Sequence, residues 1–394
     1  MKPSPFKLIE VTTKKLEKKF LLAPVFLYKN DKNWIRPLDR DIEKVFDPGE
    51  NRFFENGEAR RWILHDEKGC PVGRIAAFYD NDNIFENEQP TGGVGFFECI
   101  NNQKAANILF DKGKDWLIKK GMSAMDGPVN FGMRDYFWGC LSDGFHEPIY
   151  NMPYNPPYYC QLFENYGFKN YFNQYTYQLN IKEGVKSQVV KDKAERLLKR
   201  RNYSFETFNW KKAEKYAEDI MRIHNLGWAK FPGVPKMTRI QASNIIKELK
   251  PILDPRAIIF GYYNDEPVGF YVMIPDIFQI IRNFNGKFDL FHKLKLIFDL
   301  KIRKKANRLI GVIFGVVPQH QGRGVEAGLV MRMEKEIYKP RFPYSSLEMN
   351  WIGDFNPGMM KMVEQIGGKI YKMHITYRYL FDSTKPFHRA KVIS

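Results

Sequence analysis

The sequence predicts an α/β protein built from two tandem domains, residues 1–182 and 183–394. Three observations lead there. A strand enters a helix through the glycine-rich turn Val316-Val-Pro-Gln-His-Gln-Gly-Arg-Gly-Val325. A set of landmarks occurs twice in the same order, as an internal duplication would leave it. A lysine-rich amphipathic helix, residues 186–201, divides the two series, with Val189, Val190, Ala194, Leu197 and Leu198 as its apolar face.

In the first series, Glu67-Lys-Gly-Cys-Pro-Val-Gly73 is a turn feeding a strand, residues 104–120 form a helix, and Asn155-Pro opens a short helix that Gly167 closes before an aromatic strand, Tyr171 to Leu179. The second series repeats this with Asn264-Asp-Glu-Pro-Val-Gly269, a helix over residues 325–339, Asn356-Pro with Gly368, and Tyr371 to Leu380. Its glycine-rich turn is the distinguishing feature. The preceding segment, Arg308 to Val317, is β-branched and apolar, while Val325, Leu329, Val330, Met333 and Ile337 make one helical stripe. The turn thus lies at a helix N-terminus, where unpaired N–H groups and the macrodipole attract anions and two glycines let backbone approach a ligand. Aligning Leu109 with Leu329 puts Asn102 and Lys104 where Gly322 and Gly324 stand, so only the second copy is equipped for a phosphorylated ligand.

Composition narrows the function classes. The four cysteines, Cys70, Cys99, Cys140 and Cys160, show no metal-ligand spacing, which predicts a reduced, cytoplasmic protein without metal. The longest apolar run, Leu309 to Val317, is too short for a membrane span. A net charge of +17 and 15% aromatic residues favour acidic partners, but no basic-aromatic RNA signature or helix-turn-helix spacing is present, which disfavours nucleic acid.

Strand, Val-x-Pro, Gln-x-x-Gly-x, helix, then a strand and an Asn-initiated short helix closed by Gly resemble the GNAT superfamily of N-acyltransferases, present twice. The layout is also similar, more weakly, to bacterial ceramide-synthase-like acyltransferases of that superfamily. The resemblance implies two tandem domains, each a mixed, mostly antiparallel sheet flanked by helices, the first degenerate. It implies an acyltransferase moving groups other than aminoacyl groups from acyl-CoA, or from the acyl-phosphopantetheine of a carrier protein, to an amine-bearing small molecule or lipid. The donor would lie on Phe314, Val316 and Val317 at the strand edge and on Gln321, Gly322, Arg323, Gly324 and Val325 in the turn.

Three departures from the family pattern bear on activity. Glu326 stands where Gly or Ala is usual and would repel a diphosphate. Glu364 stands where a tyrosine often serves as general acid. The long insertion 278–308 carries nine basic residues against two acidic ones, interleaved with Phe and Leu. Such a segment suits an anionic membrane surface or covers a long apolar ligand, so a peripheral membrane location and a long-chain donor or lipid-like acceptor are expected. A non-catalytic acyl-CoA or lipid-binding module is the alternative.

Acyl transfer to an amine needs the ammonium deprotonated, the thioester carbonyl polarised and the thiolate protonated. Strand Tyr344 to Trp351 alternates, with Leu347, Met349 and Trp351 on one face and Ser346, Glu348 and Asn350 on the other. Glu348 is the candidate base, Asn350 its orienting partner, and His146 an alternative base. Asn130, Arg134, Tyr136, Trp138, Asn155 and Tyr159 lie in polar, aromatic first-half loops suited to binding the acceptor or closing the second site. Asn225, Trp228 and Asn356 are further acceptor-side candidates.

Overall fold

The computed structural model describes residues 5–81, 89–134, 136–227 and 236–392. The first half comprises β1 (Phe6–Glu10), α1 (Lys14–Leu27), α2 (Asp39–Val45), β2 (Gly57–Asp66), β3 (Pro71–Asp80), β4 (Thr91–Cys99), α3 (Gln103–Lys119), β5 (Ala124–Gly127), β6 (Cys140–Asp143), α4 (Tyr159–Tyr166) and β7 (Lys169–Asn180). Helix α5 (Gln188–Leu198) connects it to β8 (Tyr203–Thr207), α6 (Ala213–Gly227), α7 (Arg239–Leu249), β9 (Ile258–Tyr263), β10 (Glu266–Pro275), α8 (Phe278–Ile281) and α9 (Leu290–Ile297). After α9 come a π-turn (Phe298–Ile302), β11 (Arg308–Val316), α10 (Val325–Ile337), β12 (Ser346–Gly353), α11 (Pro357–Gln365) and β13 (Lys369–Leu380).

The two halves share one mixed sheet. Among the described residues its order is β1-β2-β3-β4-β5-β13-β7-β12-β11-β10-β9-β8, with β6 on β13 off this path. The closing strands are exchanged: β13 of the second half runs antiparallel to β5 of the first, and β7 of the first runs antiparallel to β12 of the second. They also pair with each other, from Lys369 opposite Gln178 to Arg378 opposite Lys169. The cores are exchanged with them. Tyr377 is buried in the first-half core, its ring stacked on Phe163, and Tyr177 is buried in the second-half core. Pairing the last strands across the middle leaves β1 and β8 as the outer edges and no unpaired edge at the junction.

The helices follow the apolar stripes in the sequence. Helix α3 buries Ala105, Ala106, Leu109, Phe110 and Leu117, and α10 buries Val325, Leu329, Val330, Met333 and Ile337. Asn356 caps α11, accepting from the Met359 amide at 3.2 Å. Two details differ from the sequence expectation. Gly367, not Gly368, takes the left-handed conformation after α11 (φ 96°), because α11 ends at Gln365 with Ile366 as its C-cap, whereas α4 runs to Tyr166 and Gly167 is itself the cap. Asn155 does not cap α4; its carboxamide is drawn to the Leu141 backbone instead, at 2.6 and 3.0 Å, hooking the loop onto β6.

Candidate active site

The two glycines of the second-half turn do different jobs. Gly322 (φ 70°) has nothing within 4 Å of where a Cβ would stand, so its backbone is open to a ligand. At Gly324 (φ 99°) a Cβ would meet the Lys193 carbonyl at 3.1 Å, so this glycine lets α5 pack against the start of α10. Among the described residues the amides of Arg323, Gly324 and Val325 have no acceptor, as expected of the first turn of a helix. The Gly322 amide donates to Glu326 Oε1 at 3.3 Å, so the turn's first glycine amide is engaged by the protein's own carboxylate. Gln321 ties the loop to the strand, its Nε2 donating to the Val316 carbonyl at 2.9 Å, while Val316, Val317 and Val325 turn their side chains into the core.

Beside this loop the sheet opens. Strands β11 and β12 pair in parallel only from Arg308–Ser346 to Gly311–Met349, and beyond that the edge of β11 through Phe314 has no strand partner on the β12 side among the described residues. A bulge in β12 between Met349 and Ile352, at Asn350 and Trp351, marks the divergence. Tyr271 on β10 lies next to the opening. Its hydroxyl is buried without a hydrogen bond, burial keeps it protonated well above the ordinary tyrosine range, and its ring meets Phe314 edge-on at 4.9 Å. A Cβ on Gly311 would stand 3.4 Å from that hydroxyl, so the glycine preserves the space in front of it.

The matching opening in the first half is filled. Strands β4 and β5 pair only over Thr91–Gly93. Farther along β4, the Cys99 amide donates to Tyr159 Oη at 2.9 Å and the Cys99 carbonyl accepts from Tyr158 Oη at 2.8 Å. Tyr159 Oη and Tyr28 Oη both donate to Glu98 Oε2, at 2.8 and 2.7 Å, and Arg74 lies 3.4 Å from Oε1. Burial raises the Glu98 pKa, with Arg74 opposing. Asn102 caps α3, accepting from Ala105 N at 3.1 Å, so the start of that helix is satisfied by its own side chain. What remains is a cavity of about 90 Å³ lined in part by Trp34, Arg74, Glu98, Asn155 and Tyr159. A larger cleft of about 540 Å³ along β8 and Trp210 contains none of the predicted site residues.

Glu348 is fully buried at the centre of a charge network. Its Oε2 accepts from Lys372 Nζ at 2.6 Å, and its Oε1 lies 3.1 Å from Arg308 Nη1 without hydrogen-bond geometry. Arg308 also binds Asp276 at 2.6 Å and Glu147 at 3.2 Å, and Glu147 binds Arg282 at 2.9 Å. Burial depresses the Lys372 pKa, partly opposed by Glu348, and raises that of Asp276. Three cations and three carboxylates from both halves and the exchanged strand therefore balance in one site. Asn350 Oδ1, Thr176 Oγ1 and His374 Nδ1 are also buried without partners among the described residues.

The remaining predicted residues divide into groups. His146 is exposed and stacks on Tyr371 at 4.3 Å, one residue from Glu147 on its own loop and beside Lys372 on β13. Trp138 donates to Thr376 Oγ1 at 3.1 Å, and Arg134 accepts Trp351 Nε1 on its carbonyl at 2.8 Å while its guanidinium lies 5.5 Å from the Trp138 ring. That loop reaches β12 at the bulge. Tyr136 is exposed, and buried Asn130 donates to the Met133 carbonyl at 3.4 Å. Asn155, Tyr159 and Asn356 use their polar groups on the protein, as does Asn225, which brackets Met237 at 2.9 and 2.8 Å. Trp228 lies outside the described residues. Sequence reasoning missed Lys372, Asp276 and Tyr271, and took Arg308 only as the start of an apolar strand and the end of a basic run. The one local signal for Arg308 was a cation opening an otherwise apolar strand.

No protein-family model matches the chain. It is 26% identical over 389 residues to the bacterial ceramide synthase of Caulobacter vibrioides (strain NA1000 / CB15N), covering 94% of this chain and 96% of the relative. It is 25% identical over 366 residues to Protein YghO of Escherichia coli (strain K12), covering 91% and 92%. Among solved structures, a tandem GNAT protein from the clavulanic acid biosynthesis pathway superposes with a TM-score of 0.54 at 9% identity, covering 96% of this chain and 100% of that one. The chain thus has the tandem GNAT fold and is a distant homologue of bacterial ceramide synthase and YghO.

Proposed function

We propose that this protein is an N-acyltransferase that moves an acyl group from a thioester donor, acyl-CoA or the acyl-phosphopantetheine of a carrier protein, to an amine acceptor of long-chain or lipid type. The observation that carries this is the contrast between the two openings: in the second half the β11 edge and three turn amides are unpaired, and in the first Tyr158 and Tyr159 occupy the equivalent edge. A pantetheine arm fits the open edge by backbone pairing. A diphosphate fits the turn only if Glu326 swings away from Gly322. Similarity to a protein named bacterial ceramide synthase supports the amine and lipid assignment.

In this reading Glu348 Oε1 takes the proton from the ammonium, directly or through one water, while Lys372 holds Oε2 in place. Asn350 Oδ1, unpartnered on the bulge, orients the amine. The amine attacks the thioester carbonyl, the C–S bond breaks as the C–N bond forms, the thiolate takes a proton from Tyr271, whose hydroxyl is protonated and unpartnered, and the second proton shed by the new amide nitrogen passes through solvent to restore the tyrosine. Tyr271 thereby supplies the acid that Glu364 cannot.

The test is transfer itself. Purified protein is given long-chain acyl-CoA or acyl-carrier protein with amines that include a long-chain amino alcohol, and thiol release and amide mass are followed. Thiol release with amide formation supports the proposal, and Tyr271→Phe is expected to lower kcat by about 10²-fold with donor affinity unchanged. Donor binding without turnover would favour the binding-module reading, to which the Glu326–Gly322 contact lends weight; binding of neither donor sinks both.

A further inference from the structure

The insertion presents a second, unpartnered apolar face. Leu290, Phe291, Leu294, Ile297, Phe298 and Ile302 are 41–72% exposed and fall on one stripe of α9 and the π-turn that continues it. The opposite face is packed: Leu296 and Leu300 sit in a cluster with Ile35 and Leu38 of the first half and with Phe278, Ile281 and Phe284. Asp299, also buried, is held by Lys305 at 3.1 Å and by Lys295 and Arg303 at 3.5 Å. The helix is thereby pinned flat on the protein with the exposed stripe outward. A water-facing surface does not need two phenylalanines, two leucines and two isoleucines together.

What surrounds the stripe identifies its partner. Lys287, Lys293 and Lys304 are exposed in the same segment, and Lys295, Arg303 and Lys305, which share the buried Asp299, keep side chains 39–54% exposed, against Asp289 as the other acidic residue. We infer that this face docks on an anionic lipid surface, with the apolar stripe inserted in the acyl boundary and the cations at headgroup level. A helix lying in the plane of the interface, not crossing it, fits its length, and no helix among the described residues is long and apolar enough to cross a membrane. A second copy of this chain is a poorer occupant, because a two-fold contact sets each ring of cations against its own image. The phospholipid surface answers both halves of the pattern, since it offers negative charge outside and hydrocarbon beneath.

Flotation with vesicles of phosphatidylcholine, with and without phosphatidylglycerol, tests this without requiring turnover, so its outcome is separate from that of the acyl-transfer assay. The protein is expected to float with the anionic vesicles, and by about tenfold or more less in high salt or without phosphatidylglycerol. Phe291→Glu/Leu294→Glu/Phe298→Glu, three exposed sites whose replacement should leave the melting temperature in place, is expected to abolish flotation, and Lys293→Glu/Lys304→Glu to weaken it. Failure of the wild type to bind anionic vesicles, or equal binding by the apolar-face variant, overturns the inference. So does a dimer in sedimentation that the same variant dissociates, which would assign the stripe to self-association, or capture of acyl-carrier protein by the wild type in place of vesicles.

Discussion

Lys372, on the exchanged strand β13, donates to Glu348 on β12 at 2.6 Å with both side chains buried, so the centre of the second-half site is completed by a strand that also pairs with the first half. Removing one partner strands a charge. Lys372→Met is expected to lower unfolding stability in urea by about 3–5 kcal/mol, and Lys372→Met/Glu348→Leu to recover most of that loss. Glu348→Gln keeps the shape and one oxygen for Lys372. It should lower kcat by about 10²–10⁴ while the donor dissociation constant stays within about twofold; unchanged kcat would remove Glu348 from the chemistry.

Tyr159 separates a structural role from a ligand-binding one. Its hydroxyl is committed to the Cys99 amide and Glu98. Tyr159→Phe leaves that buried amide and one carboxylate bond unmet, at a cost of about 1–3 kcal/mol in denaturant unfolding. Donor affinity by calorimetry should not move, because the opening it fills is not the donor site. A tenfold loss of affinity would show that the first half binds donor after all.

His374 sets a pH signature. Burial, with Lys372 adding to it, pushes its imidazole down to about 4 from 6.5, and its Nε2 lies 3.1 Å from the Pro153 carbonyl. The folded state therefore binds fewer protons than the unfolded chain between these values. Stability is fully present above about pH 6.5 and is lost as pH falls toward 4, by about 3 kcal/mol in total. His374→Gln should flatten that segment of the stability–pH curve; an unchanged slope would assign the acid loss to other groups.

The sequence carries those features whose determinants are local. The Gly322–Gly324 turn, the Asn356 cap and the stripes of α3 and α10 are each decided within a few residues, and each is where the pattern puts it. The strand exchange is not local. Tyr171–Leu179 and Tyr371–Leu380 carry the same aromatic alternation, so neither reveals whether it closes its own half or the other. The charge network is invisible for the same reason: Lys372, Arg308 and Glu147 come from segments far apart in sequence and meet only because β13 crosses over. Tyr271 reads as one more aromatic in an apolar strand until its unpartnered hydroxyl is seen beside Gly311.

Glu326 gives the sharpest test of the donor site. Its Oε1 accepts from the Gly322 amide at 3.3 Å, and it lies in the first turn of α10, where the macrodipole favours any carboxylate. A diphosphate must displace it and then tolerate its charge. Glu326→Ala removes both obstacles, and the expected result is a roughly 3- to 30-fold gain in CoA affinity by calorimetry. Pantetheine without phosphates should gain nothing, since the proposed pose puts its contacts along β11 and not in the turn. The gain should shrink with added salt, because Arg323 and Gln321 leave the turn open to solvent and the interaction is screened. If CoA affinity is unchanged in Glu326→Ala, the turn amides are not where the donor's phosphates bind, and the assignment of Gln321 to Val325 falls with it.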